Sequence, residues 1–300
     1  MILITGGLGF IGSHTARALT SLGQSCVLAQ RRAPDGPSDL GEVVHVDITD
    51  LAALRAVGDR HKITDIVHLA GSMPWPPTQD APIEASRRAL GGLFNVLQVA
   101  QDWGVSRVGL ASTIGIYGGV VSDQPLTEDL PLPLPSPHVI PTFKKISELL
   151  AGHLADAAGL DIVNYRIGAI WGPLGRPVSP FFAAPQLVHA AASGAPFETA
   201  DDAIDLCYAK DCGRALALLQ LADGLQHRTY NVSSGRLTSN ADIVAALGPD
   251  ARITLTPATD VPRPPLDITR LRADTGFSPA YDTDGAVADY LAWLRAGNPR

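Results

Sequence analysis

Three glycines at regular spacing, Gly6, Gly9 and Gly12 in "MILITGGLGFIGSHTARAL", stand between an apolar strand-like run and an amphipathic helix-like one. Glycine permits a tight turn and lets backbone N–H groups approach a pyrophosphate, which then lies over the positive end of the helix dipole. The chemistry expected is dinucleotide binding, with Phe10 and Ile11 in the same cofactor-binding loop. The order strand, glycines, helix makes the signal stronger than the motif alone. The next apolar run ends in "VLAQRR". An acidic residue at that point would bond the ribose hydroxyls of NAD and repel a 2′-phosphate. Gln30 stands there instead, and Arg31 and Arg32 follow, which fits guanidinium recognition of a 2′-phosphate. NADP is the expected cofactor ahead of NAD; the plain alternative is a solvated basic pair at the start of a loop.

These residues need a scaffold, and the chain supplies one. Its 300 residues are 46% hydrophobic and 18% charged, enough apolar content for a sizeable core and too much for disorder. The runs "MILI", "CVLA", "DIVHLA", "RVGLAS" and "DIVNYRIG" alternate with helix-length segments near 12–22, 51–59, 86–102, 142–157 and 211–222. Short continuous apolar runs alternating with helices predict an α/β, doubly wound Rossmann sheet of parallel strands covered on both faces. After residue 172 the rhythm breaks into stretches such as "GPLGRPVSP", then short elements and a final helix near 284–296. The expected organisation is a dinucleotide-binding domain over 1–172, with returning segments near 203–235, and a smaller, discontinuous substrate-binding lobe over most of 173–300. "RRAPDGPSDLGE" and "GSMPWPPTQDAP" read as loops, the second placed to cover a cleft.

No run of about 18 apolar residues occurs, and no basic segment precedes "MILITGG", so a soluble cytoplasmic protein is expected. A formal net charge of −7 leaves no broad basic face for nucleic acid or an anionic membrane. The expected partner is a small-molecule substrate. Cys207 and Cys212 in "CYAKDC" do not have a usual zinc spacing, and no metal site is expected.

The motifs together resemble the extended short-chain dehydrogenases/reductases of the NAD-dependent epimerase/dehydratase kind over essentially the whole chain. The residues that carry the likeness are "TGGLGFIG" at 5–12, "VDITD" at 46–50, "DIVHLAG" at 65–71, "ASTIGIYG" at 111–118, "KKISELL" at 144–150, "YRIGAIWGP" at 165–173, "YNVSSG" at 230–235 and "LRADTGFSPAY" at 271–281. The resemblance implies that Asp47 contacts the adenine with Ile48 packed nearby, and that Leu69, Ala70, Gly71 and Ile167 line the dinucleotide. It implies that Thr113, with Ser112 beside it, hydrogen-bonds the substrate oxygen, and that Lys144 bonds the nicotinamide ribose, Lys145 being the alternative in a shifted register. Met73 and Trp171 fall on the substrate side, with Trp75, Phe181 and Phe182 as further apolar walls. Relatives commonly dimerise through helices equivalent to 86–102 and 142–157, so a homodimer is expected.

One departure is chemical. The family's base is a tyrosine four residues before the lysine, and here that position is Ile140; in the shifted register it is Pro141. None of the six tyrosines, 117, 165, 208, 230, 281 and 290, has a lysine four residues later. Moving a hydride from a carbinol requires loss of the hydroxyl proton, which a phenol of unperturbed pKa about 10 can take when a cation lowers it. Isoleucine cannot. Pro141 disfavours the α conformation at Ile140, so the helix is expected to begin near Pro141 with residues 138–140 extended. That would free His138 to act as a substitute acid/base; an exposed loop histidine is the alternative. Ile140→Tyr alone is then expected not to create normal dehydrogenase activity. Glu128 and Asp129 read as surface acids.

Two further departures bear on the substrate. Ala169 stands where the family often has an asparagine for the nucleotide-sugar phosphates, and Ile204 replaces a usual arginine, whereas Arg263 stands where a phosphate-binding arginine is often found. One anchor of three argues for a different or smaller substrate. The expected function is an NAD(P)-dependent oxidoreductase or epimerase-like enzyme acting on a hydroxyl or carbonyl. Alternatives are a catalytically silent NAD(P)-binding sensor or scaffold, and a non-redox lyase or isomerase in the same cleft.

Overall fold

The apolar runs become strands because each is flanked on both faces by helices, so alternation of polar and apolar residues has no use there. The computed structural model describes residues 1–32, 38–71, 82–136, 138–259 and 261–298. In chain order the first half holds β1 (Ile2–Thr5), α1 (Phe10–Ser21), β2 (Cys26–Gln30), β3 (Glu42–His45), α2 (Leu51–Arg60), β4 (Asp65–His68), α3 (Pro82–Trp103), β5 (Arg107–Thr113), a 3₁₀ turn over Ile114–Tyr117, α4 (Val139–Ala158) and β6 (Ile162–Ile167). There follow β7 (Ala169–Trp171), α5 (Ala184–Ser193), β8 (Phe197–Ala200), β9 (Ala203–Tyr208), α6 (Ala209–Leu221), β10 (Thr229–Val232), β11 (Leu237–Ser239), α7 (Asn240–Leu247), β12 (Ile253–Thr256), α8 (Thr269–Thr275) and α9 (Thr283–Arg295).

Seven strands form one parallel sheet in the order β10-β6-β5-β4-β1-β2-β3, so the chain reverses direction across the sheet between β1 and β4. Ile2 pairs with Cys26 on one side and Asp65 on the other, which sets the carboxyl ends of β1, β2 and β4 level. In such sheets a ligand crevice opens outside those ends, at the switch point. Helices α1 and α6 cover one face at close range: a Cβ on Gly213 would stand 2.4 Å from the His14 carbonyl carbon, so only glycine allows the approach. The other face packs Leu54, Val57, Val96 and Ala100 against Leu3, Val27 and Ile66.

Outside the large sheet, β9 lies between β11 and β7, and β12 pairs with β8. These strands pack with α5, α7 and α9 around Trp171, Leu187, Ile243 and Tyr290. Among the described residues no helix is long and apolar enough to cross a membrane. Most of the "GSMPWPPTQDAP" stretch lies outside the described residues, including Met73 and Trp75.

One expectation about the backbone is corrected. The helix α4 begins at Val139, not near Pro141, and only His138 is extended, at φ −159° and ψ 177°. Pro141 is the third helical residue, where an N–H would have no intrahelical partner, so its missing donor costs nothing. The first helical bond runs from Thr142 N to His138 O at 3.5 Å.

Candidate active site

A cavity of about 390 Å³ opens at the carboxyl ends of the central strands. Its walls include Phe10 and Ile11 at the start of α1, His68–Gly71 at and after the end of β4, Leu110–Thr113 at the end of β5, Ile140, Phe143, Lys144 and Ser147 on α4, and Ile167 and Gly168 at and just after the end of β6. The four α4 residues lie at helical spacing, which puts them on one face. The sheet thus brings together nine of the site residues expected from sequence: Phe10, Ile11, Leu69, Ala70, Gly71, Ser112, Thr113, Lys144 and Ile167.

The loop beside the cavity is built to keep its backbone bare. Gly6 has φ +72°, and a Cβ there would meet Ala70 N at 3.1 Å. A Cβ on Gly12 would stand 2.2 Å from the Gly6 carbonyl oxygen. Gly9, extended at φ −72° and ψ 173°, caps α1 without a side-chain hydrogen bond. The first-turn N–H groups of α1 and this glycine cradle fit a pyrophosphate, and Lys144 supplies a cation to the same cavity. At the end of β2, the Gln30 amide oxygen, in the orientation that satisfies its surroundings, accepts from Gly7 N at 3.1 Å and from Leu8 N. Arg31 and Arg32 are exposed after it. Asp47 accepts from Thr49 N at 2.9 Å and Thr49 Oγ1 at 2.8 Å; the backbone bond from Thr49 is the main reason its carboxyl titrates below the ordinary range. Ile48 packs close to Gly92, and its carbonyl accepts from Asn95 Nδ2 at 3.0 Å.

The polar groups of the cavity differ in what they are free to do. Thr113 Oγ1 accepts from Gly115 N at 3.2 Å, which fixes the oxygen and leaves its proton to donate. Ser112 Oγ donates to Glu148 Oε1, and Glu148 is held by Arg166 through Nη2 to Oε2 at 2.8 Å. Arg166 also reaches Tyr117 Oη and the Glu128 carbonyl, each at 2.9 Å. Burial pushes Lys144 down to about 8, against a smaller upward pull from Glu148. Burial, with Lys144 nearby, pushes His68 down to about 3, so the imidazole is neutral; its Nδ1 lies 2.8 Å from Thr5 Oγ1.

The NAD dependent epimerase/dehydratase family matches residues 2–233. The chain belongs to that family. UDP-glucose 4-epimerase of Azospirillum brasilense is 28% identical over 98% of this chain and 92% of that protein. Among solved structures, UDP-glucose 4-epimerase of Brucella ovis in complex with NAD is 25% identical, with a TM-score of 0.81 over 98% of each chain. A partial consensus L-threonine 3-dehydrogenase is 27% identical, with a TM-score of 0.82 over 98% of this chain and 99% of that one.

Measured against this epimerase/dehydratase frame, several expected residues stand elsewhere. His138 does not line the cavity; half-buried, it stacks on Phe181 with ring centroids 6.0 Å apart. Burial lowers its pKa, which makes it a weaker proton acceptor than a free imidazole. Trp171 is 3% exposed, wedged edge-on against Tyr208 and Tyr290, and is core rather than substrate wall. Arg263 is exposed and off the cavity wall, and Lys145 turns outward to the carbonyls of Pro133 and Pro135. Met73 lies outside the described residues. Glu128 is not a surface acid: it is 7% exposed, accepts from Asn231 N at 2.8 Å, and burial raises its pKa.

Sequence reasoning missed His68 and Ser147. His68 is the last residue of β4, a strand whose carboxyl end faces the switch point, and Ser147 is one turn beyond Lys144; both signals were available.

Proposed function

We propose that the chain is a dinucleotide-dependent, epimerase-like oxidoreductase that acts on a hydroxyl or carbonyl group in the 390 Å³ cavity without a tyrosine base. The observation that carries the reading is the convergence on one cavity of Thr113, Lys144 and the start of α1 next to the glycine loop, with Ile140 in the wall one turn before Lys144. Gly6, Gly9 and Gly12 would hold the pyrophosphate, Leu69–Gly71 and Ile167 would line the dinucleotide, and Asp47 and Ile48 would meet its adenosine end. When bound, the nicotinamide supplies a reversible acceptor for the substrate's hydride.

The protein's own groups do the rest. Thr113, its oxygen fixed by Gly115, donates to the substrate oxygen and holds it at the cavity wall. Ser112 is tied to Glu148 and orients the floor. Phe10, Ile11, Ile140 and Phe143 give the cavity an apolar wall. NADP is favoured over NAD: Gln30 presents no carboxylate to a 2′-phosphate, and Arg31 and Arg32 are exposed beside it. The named relatives are UDP-sugar epimerases and an amino-acid dehydrogenase. Ala169 and Ile204 in place of the usual anchors, with Arg263 off the cavity, favour a substrate smaller than a nucleotide sugar.

The reading also includes a division into a nucleotide-binding part over 1–172 and a substrate-binding part over most of 173–300, a homodimer and a cytoplasmic location. Exposed Ile83 and Phe94 on α3 and Leu149 on α4 support the dimer. The test is titration with NADPH and NADH by nicotinamide fluorescence, then a screen of UDP-glucose, UDP-glucuronate and small secondary alcohols for cofactor reduction. Saturable binding with turnover of one class is the expected result; no binding of either nucleotide sinks the reading. A second reading, a dinucleotide-binding sensor without turnover, draws support from the apolar Ile140 in the cavity wall and His138 outside it. Tight binding with no reduction by any alcohol would favour it.

A further inference from the structure

We propose that Lys144 is itself the proton-transfer residue of this cavity: its ε-amine, in place of a phenol, takes the proton of a substrate hydroxyl and returns it to the carbonyl oxygen. This rests on the oxidoreductase reading above and deepens it.

The argument starts from what every other acid or base at the site is already doing. None of the six tyrosines lines the cavity, and Tyr117 Oη donates to Asn231 Oδ1 at 2.7 Å while receiving Arg166. His138 is off the wall, on Phe181. His68 is neutral and bonded to Thr5, and it gains a proton only far below neutral pH. Ser112 is spent on Glu148, and Glu148 on Ser112 and Arg166. A threonine hydroxyl is too weak an acid to replace a phenol, which leaves Thr113 an orienting role.

Lys144 differs from all of these. It lines the cavity, and among the described residues its Nζ makes no hydrogen bond or ion pair. Ile140 and Phe143 flank it with apolar surface on the same helix. A tyrosine at position 140 would give the ammonium a polar neighbour; isoleucine gives it none, and an apolar surrounding disfavours the charged form. The charged and titratable groups whose charge reaches it are Glu148 on its own helix, which is paired with Arg166 on β6, and His68 on β4. Glu148 pulls the amine toward protonation, but Arg166 neutralises that carboxylate, and His68 carries no charge. The amine therefore titrates at about 8 rather than in the ordinary lysine range, and it is both acid and base near neutral pH. In the forward step the substrate O–H bond breaks, its electron pair becomes the carbonyl π bond, and the proton bonds the neutral Nζ. The carbinol C–H bond breaks with its pair leaving as hydride to the oxidised nicotinamide that the cavity would hold, so the alcohol is oxidised and the dinucleotide reduced. The return step reverses each change, and the ammonium delivers the proton.

Lys62, Lys144, Lys145 and Lys210 are the chain's only lysines, so each can be followed separately. Competitive acetylation of the cofactor-free protein with acetic anhydride across pH, read by peptide mass spectrometry with the other three lysines as internal references, should give Lys144 an apparent pKa near 8. Labelling of Lys144 in step with the others overturns the proposal. Lys144→Arg keeps a cation but cannot accept a proton. It should still bind NADH while losing about a hundredfold or more in reduction of the cofactor by the alcohol that serves the wild type. Turnover by that variant with an unchanged pH profile also overturns the proposal. A wild type that binds no dinucleotide, or binds it and turns over no alcohol, refutes the underlying reading and the proposal with it, whatever the labelling gives.

Discussion

Ile140 and Lys144 share one face of α4, a single turn apart, and both wall the cavity, while Pro141 between them stands in the first helical turn where no backbone donor is required. The proline leaves intact the backbone that aims residue 140 into the cavity. That separates two explanations which the sequence leaves entangled: a helix too distorted to present a base, and an intact helix that presents a different residue.

Ile140→Tyr follows directly. Because residue 140 already faces the cavity beside Lys144, a phenol introduced there enters it, and the expected outcome is a gain of about tenfold or more in cofactor reduction over the wild type. The same variant should raise the labelling pKa of Lys144, since a phenolic partner solvates the ammonium. Unchanged turnover together with unchanged labelling would mean that position 140 is not aimed as the helix implies.

The Ser112–Glu148–Arg166 chain predicts a stability effect. Side-chain exposure is 7% for Arg166 and 11% for Glu148, so Glu148→Gln strands a buried guanidinium and should cost about 3–5 kcal/mol in urea unfolding. Adding Arg166→Met should recover part of that loss, because a buried pair replaced whole costs less than one broken in half. Additive losses would show that the two do not act as a pair.

Much of the architecture is legible in the sequence because it rests on local signals. Four-residue runs such as Ile2–Thr5 and Asp65–His68 are buried on both faces, and the glycines of the first turn announce a place where backbone must stay bare. What escaped depends on partners far along the chain. Glu128 is buried by Asn231, Trp171 is enclosed by Tyr290, and neither spacing nor composition joins such residues. The start of α4 was missed for another reason: the preference of a residue before proline for extended backbone was outweighed by packing of the first turn, where Phe143 and Pro141 are buried.

Gly12→Ala tests the cradle. The added Cβ would stand 2.2 Å from the Gly6 carbonyl oxygen, and that atom belongs to backbone which cannot swing aside. Dinucleotide binding should be lost by fluorescence titration, with destabilisation of about 1–3 kcal/mol from the forced overlap. A variant that binds as the wild type does would show that the loop has room to move.

His68 gives the protein a pH-dependent stability with a definite sign. Burial holds its pKa at about 3 in the folded chain, whereas an unfolded histidine titrates near about 6.5. Above the higher value neither state binds the proton. As pH falls below it the unfolded chain gains a proton that the folded chain refuses, so stability drops by about 1.4 kcal/mol per pH unit toward about pH 3. Urea unfolding between neutral pH and about pH 5 should show a steeper acid loss in the wild type than in His68→Gln. Parallel curves would mean that the imidazole protonates in place.

Cofactor choice is the prediction that turns on the end of β2. Gln30 spends its amide on Gly7 and Leu8, so it presents no negative charge to the adenosine ribose, and Arg31 and Arg32 are exposed with no carboxylate at the next position upstream. Asp47 is close enough to Arg31 to feel its charge, and its carboxylate would oppose a 2′-phosphate held there. Arg31→Ala and Arg32→Ala should therefore weaken NADPH binding by about tenfold, the worth of one charge-assisted hydrogen bond, and leave NADH almost unchanged. Gln30→Asp should shift the ratio further toward NADH by placing a carboxylate where the phosphate would lie. If the wild type prefers NADH and neither arginine matters, the pair is only a solvated face of the loop and the cofactor is NAD.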